Sequence, residues 1–205
     1  MNLTTLADLI LEQLAGLYDA EQQLVEALPL LAEKAFSEDL RDAITAHFKQ
    51  TKEHVKRIED AFRLLKTAPR RRRCRAMEGL VGDAQALLWT DDFADPGGLD
   101  ASLICATRFV EHFEIAAYGS ICSHARLLEA NDVAKLLEQT LDEERETDRA
   151  LTDLAESLVN PDAAETDEEI PREASGEDEG ANGDSDDVEN EIQAATSRPA
   201  SARRQ

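Results

Sequence analysis

Long amphipathic stretches predict an all-α protein: a four-helix bundle of two antiparallel hairpins, with a short extra helix in the crossover between them. Three observations carry that reading. Apolar residues recur at three-then-four spacing along four separate stretches rich in Ala, Leu and Glu. Glycine and proline are few, 9 and 6 of 205 residues, so chain breakers are scarce. Hydrophobic residues make up 42% of the chain, enough at this length for one domain with a proper core.

The first long helix is expected over about Thr5–Ala35. Thr5 and Asp8 form a capping box, and the buried face runs through Leu6, Ile10, Leu14, Leu17, Glu21, Leu24, Leu28 and Leu31. Pro29 lacks a backbone donor, so a kink is expected there. Ser37, followed by Glu38 and Asp39, caps the second helix. Its buried face reads Leu40, Ile44, Phe48, Thr51, Val55, Ile58, Phe62 and Leu65, with His47 and His54 one step beside it. The run TAPRRRRCR, residues 67–75, ends that helix as a solvated basic segment. A short helix over about Arg75–Trp89 follows in the crossover. Pro96, Gly97 and Gly98 break the chain before Asp100 caps the third long helix, about Ala101–Glu129. Asn131 and Asp132 turn the chain into the fourth, whose face includes Val133, Leu137, Leu141, Glu144, Asp148 and Leu151.

After Pro161 the pattern collapses into Asp, Glu, Gly, Ser and Ala. Residues 1–160 are therefore expected to form the bundle. Residues 161–205 read as a disordered acidic tail, unable to bury enough apolar area to offset the entropy of ordering. The net charge of −22 argues against nucleic acid or an anionic membrane as a partner. Acidic residues are spread through Met1–Leu31, so no signal peptide is expected, and no uncharged run approaches a membrane span. Cys74, Cys105 and Cys122 are odd in number, which favours a reducing cytoplasm over a disulfide framework.

Three of the four buried faces carry a carboxylate where leucine would serve: Glu21, Glu114 and Glu144, with Asp148 one turn beyond. Each hairpin sets its polar residues at one height. Counting back from the first turn puts Glu21 level with Thr51, one turn from His54. Counting back from the second puts Glu114 between Glu144 and Asp148. Carboxylates buried without compensation cost several kcal/mol each. Protonation, bound cations, or a salt-bridged network with Arg108 or Arg145 would relieve that cost. Oxygen-rich ligands with a few imidazoles suit iron or manganese better than zinc. Tyr18 and Tyr118 sit one turn from Glu21 and Glu114, where a phenol could hydrogen-bond to a ligand, and Thr51 lies among the same residues.

The segments LYDAEQQLVEALPLLAEKA, AMEGLVGDA, VEHFEIAAYGS and LLEQTLDEERETDRALTDLA resemble the YciE/YciF family of small ferritin-like proteins, over roughly residues 5–158. The resemblance implies a ferritin-like bundle, a homodimer and a two-metal centre. Within it, Glu21 is the acid of the first helix, Glu111 and Glu114 the pair of the third, and Glu144 the acid of the fourth. The second helix departs from the family pattern, with Lys49 and Gln50 where an acid is common. The candidate ligands are thus Glu21, His54, Glu111, Glu114, Glu144 and Asp148, with His47 as a further one.

Two functions follow. The first is a di-metal protein holding two iron ions, or manganese, that oxidises ferrous iron or consumes peroxide under stress. Its partners would be divalent metal and dioxygen or peroxide. The second is a non-catalytic dimeric stress protein whose polar core sets helix register and whose acidic tail recruits a partner.

Overall fold

A computed structural model describes residues 4–87 and 96–167, all within a unit spanning residues 1–170. Regular structure among the described residues is entirely helical: α1 Leu6–Lys34, α2 Glu38–Leu64, α3 Arg75–Ala86, α4 Pro96–Leu127 and α5 Asn131–Leu154. A π-helical turn at Ala155–Val159 leads into α6, Asn160–Asp167. Helices α1 and α2 pack as one hairpin and α4 and α5 as the other. Contacts of α2 with α5 and of α1 with α4 close them into a bundle, with α3 against α1 and α4.

The capping box forms as expected: the Thr5 hydroxyl accepts from the Asp8 N–H, and Asp8 Oδ2 accepts from the Thr5 N–H, each at 3.0 Å. Helix α1 runs unbroken through Pro29, with Leu28 and Leu31 buried on either side, so packing outweighs the missing hydrogen bond. Helices α2 and α4 end in left-handed residues, Lys66 and Glu129. At each end the next residue returns a hydrogen bond five positions back, Thr67 to Phe62 and Ala130 to Ala125, which satisfies carbonyls the helix would leave open.

Four expectations need correction. On α2 the buried face is rotated: His47 and His54 lie in the seam, while Phe48 and Val55 are half-buried at its edge. The arginine run is solvent-exposed, as expected, but does not simply end the helix. It straps across α1, with the Arg72 N–H on the Ala15 carbonyl at 2.9 Å, Arg70 on Glu12 and Arg71 on Asp19, while Arg73 pairs with Glu78 of α3. Gly16 makes room, because a Cβ there would fall 2.5 Å from the Arg72 guanidinium. Helix α4 begins at Pro96, whose fixed φ suits a first turn, and Asp100 is not its cap. The Asp100 carboxylate instead accepts the Phe36 and Ser37 N–H groups at 2.9 and 2.7 Å, tying α4 to the α1–α2 turn.

The last correction lies at the C-terminal end. Helical structure continues through Pro161 in α6, which follows the π-turn without a break. The expectation of disorder beyond residue 167 lies outside the described residues, as does Trp89; α3 ends at Ala86. No described helix is long and apolar enough to cross a membrane.

Candidate metal centre

The apolar core is split in two. One cluster includes Leu24, Leu28, Leu40, Ile44, Leu103 and Val110, and the other Leu14, Leu17, Ile58, Phe62, Ile121 and Leu137. Between them, at mid-bundle, lie Glu21 of α1, His47 and His54 of α2, Glu111 and Glu114 of α4, and Glu144 of α5, each no more than 1% exposed. Helical spacing explains the convergence: His47 and His54 are seven residues apart and Glu111 and Glu114 three, so each pair shares one face.

Two donor groups form around a shared carboxylate. Glu21, His54 and Glu144 bring donor atoms within 4.8 Å of one another, as do His47, Glu111, Glu114 and Glu144. Glu144 Oε1 lies 2.9 Å from His54 Nδ1, while its Oε2 faces His47 Nδ1 at 3.9 Å. His54 Nδ1 is also 3.6 Å from Glu21 Oε1, and His47 Nε2 is 3.2 Å from Glu111 Oε1. Beyond the 2.9 Å and 3.2 Å pairs, both oxygens of Glu114, Glu111 Oε2, Glu144 Oε2, Glu21 Oε2 and His47 Nδ1 have no hydrogen-bond partner. Buried polar atoms are nearly always satisfied, so such a concentration marks a site that ordered water or a bound ion could fill.

Electrostatics point the same way. Burial pushes the carboxyls of Glu111 and Glu114 well above the ordinary range, with repulsion from Glu144 and Glu21 adding to it. Glu21 is raised by burial too, although His54 opposes this. Burial also acts on Glu144, but His54 and His47 outweigh it and hold that carboxyl low. Desolvation keeps His47 neutral by lowering it. His54 resists desolvation because Glu144 and Glu21 flank it, and rises to about 10.

The surrounding groups orient the cluster. The Tyr118 hydroxyl, fully buried, donates to Glu21 Oε1. His54 Nε2 faces Glu143 Oε2 at 2.8 Å, and Arg57 grips that carboxylate through two nitrogens at 2.6 and 2.8 Å. With Nε2 engaged, Nδ1 of His54 is free to face the cluster. Glu143 and Arg57 escaped the sequence reading because charged residues beside a seam look like a solvated face.

Other candidates lie elsewhere. Asp148 is outside the cluster, paired with Arg108 at 2.9 Å and His112 at 3.3 Å on the rim. Arg145 pairs with Asp142, so neither arginine considered for a core salt bridge enters the cluster. Tyr18 turns away from Glu21 and donates to Glu59 at 2.6 Å. Thr51 is buried on the same helix as His47 and His54, but its hydroxyl is spent on the His47 carbonyl at 3.0 Å.

Among known families, the domain of unknown function DUF892 matches residues 5–164. The chain belongs to this family. It is 38% identical over 161 residues to protein YciF of Escherichia coli K12, spanning 78% of this chain and 96% of that protein. The crystal structure of that E. coli stress protein superimposes with a TM-score of 0.73, covering 77% of this chain and 99% of the other. YcfI of Rhodopseudomonas palustris, 33% identical, gives a TM-score of 0.70 over 74% and 95%. A Xanthomonas campestris protein at 18% identity shares the fold, with a TM-score of 0.63 over 80% and 99%. This DUF892 member therefore has the YciF-like helical bundle, and its buried His/Glu group could hold a metal ion.

Proposed function

We propose that the chain is a ferritin-like di-metal protein that binds two divalent ions, iron in the first place and manganese as the alternative. Ferritin-like di-metal sites use a Glu from each of two helices and a Glu-x-x-His from each of the other two. This bundle assembles the same four carboxylates and two imidazoles with a different distribution: α1 and α5 give one Glu each, α2 both histidines and α4 both remaining acids. That donor set, fully buried and with both Glu114 oxygens and one oxygen each of Glu21, Glu111 and Glu144 left without a hydrogen-bond partner, is the observation that carries the reading. Four carboxylates would also balance two divalent charges, removing the repulsion that burdens the empty core.

A bound iron pair would supply two-electron redox chemistry toward dioxygen or peroxide. The chain's own contribution is placement. Glu144 offers one oxygen to each donor group, Tyr118 holds Glu21, and Glu143 with Arg57 fixes the ring of His54. Oxidation of ferrous iron, or removal of peroxide, is the activity this arrangement supports, in a stress role that the E. coli relative's description suggests. A homodimer in the cytoplasm belongs to the same proposal. Anaerobic loading with ferrous iron should give about two ions per chain, with oxygen uptake on exposure to air.

A second reading treats the cluster as a structural polar core whose acids stay protonated. The raised Glu111 and Glu114 favour it, and the name given to YcfI proposes a structural role for that relative. Absence of stoichiometric metal after reconstitution would select it.

A further inference from the structure

A cleft of about 210 Å³ between α2 and α5 reaches the buried cluster. Its walls are Ala43, Ala46 and Gln50 on one side and Glu146, Thr147 and Ala150 on the other, and His47 lies at its floor. His47 is 1% exposed, and its ring nitrogens face Glu111 Oε1 at 3.2 Å and Glu144 Oε2 at 3.9 Å, so the cleft ends on a ring that borders the cluster. The larger groove of about 550 Å³ between α1 and α2 touches none of the six cluster residues.

We propose that the α2–α5 cleft is the port through which a divalent cation enters, with His47 the first ligand it meets. This rests on the metal-binding reading above. Three alanines keep the walls apart, where larger side chains would close them. The lining is graded for a cation that sheds water in steps. The Glu146 carboxylate stands exposed at the mouth. Gln50 and Thr147 narrow the passage behind it, Oε1 and hydroxyl 3.5 Å apart, and the His47 imidazole lies beyond. The α1–α2 groove offers no such gradient: Lys49, Lys52 and Lys56 line it beside Glu26 and Glu53, with Lys56 paired to Glu53 at 2.6 Å.

Cobalt(II) serves as the probe, added to chelator-treated full-length protein and followed by stopped-flow absorbance of the bound ion. Ala46→Leu and Ala150→Leu, singly and together, fill the cleft from exposed helix positions. They should slow loading by about tenfold or more while leaving the final stoichiometry unchanged. Gln50→Ala widens the passage and should speed loading, so the test survives if the leucine variants fail to fold. Val25→Leu, in the α1–α2 groove, should load at the wild-type rate. The proposal is overturned if the leucine variants load as fast as wild type, if Val25→Leu slows loading equally, or if Gln50→Ala changes nothing. Failure of the wild type to take up cobalt at all would instead sink the metal-binding reading, and the port with it.

Discussion

Glu114→Leu should stabilise the metal-free fold and abolish metal binding. Glu114 is fully buried and both carboxylate oxygens lack a partner, with Glu21, Glu144 and Glu111 as its charged neighbours. Burial holds its carboxyl protonated well above the usual range, so the empty protein carries an unsatisfied polar group rather than a paired charge. Leaving such a group unsatisfied costs about 1–3 kcal/mol, and leucine removes that cost while adding apolar contact. At about 2–4 °C per kcal/mol for a domain of this size, the chelated variant should melt a few degrees above chelated wild type. Metal reverses the order: at a hundred times Kd, one bound ion stabilises wild type by about 2.7 kcal/mol and the variant hardly at all. Urea melts with chelator and with cobalt(II) measure both arms. Breaking a structural ion pair would instead cost the chelated variant about 3–5 kcal/mol, and that loss would refute the reasoning.

Above about pH 6.5 the empty protein should lose stability as pH rises. There the folded chain holds protons on Glu111, Glu114 and His54 (raised to about 10) that the unfolded chain has released. His47 and Glu144, both lowered, act in the opposite direction only below that pH. Urea melts in chelator at about pH 7 and about pH 9 check the sign. Glu143→Ala frees the His54 ring and should weaken metal binding by about 10–100-fold in a chelator-competition titration, with an unchanged Kd counting against its orienting role. Asp148→Asn should leave metal stoichiometry intact and shift stability by less than about 1 kcal/mol, as expected of a rim ion pair. A lost metal equivalent would return Asp148 to the ligand set.

The bundle was legible because four long apolar stripes admit few packings. Hairpin counting also sets Glu21 within a turn of His54 and Glu114 between Glu144 and Asp148, of which the structure brings only Glu144 to it. The face of α2 was misread because periodicity assigns seams to apolar residues, and here two histidines displace Phe48 and Val55 from the interior. That displacement is itself a mark of the site, since propensity and pattern tend to fail where function intervenes. Long-range polar contacts left no local signal. Asp100 resembles a helix cap, yet it satisfies Phe36 and Ser37, 64 and 63 residues earlier. Of two tyrosines each one turn from an acid, only Tyr118 points inward, and it donates to Glu21 of α1 rather than to Glu114 on its own helix, while α1 turns Tyr18 toward α2.

The most direct test of the central claim is the metal content of the intact chain after anaerobic reconstitution with ferrous iron, with anomalous scattering to locate the ions in a crystal. The account predicts about two ions per chain, one beside Glu21 and His54 and one beside His47, Glu111 and Glu114, with Glu144 between them. A chain that retains no stoichiometric metal, or holds it only at the surface, would contradict it.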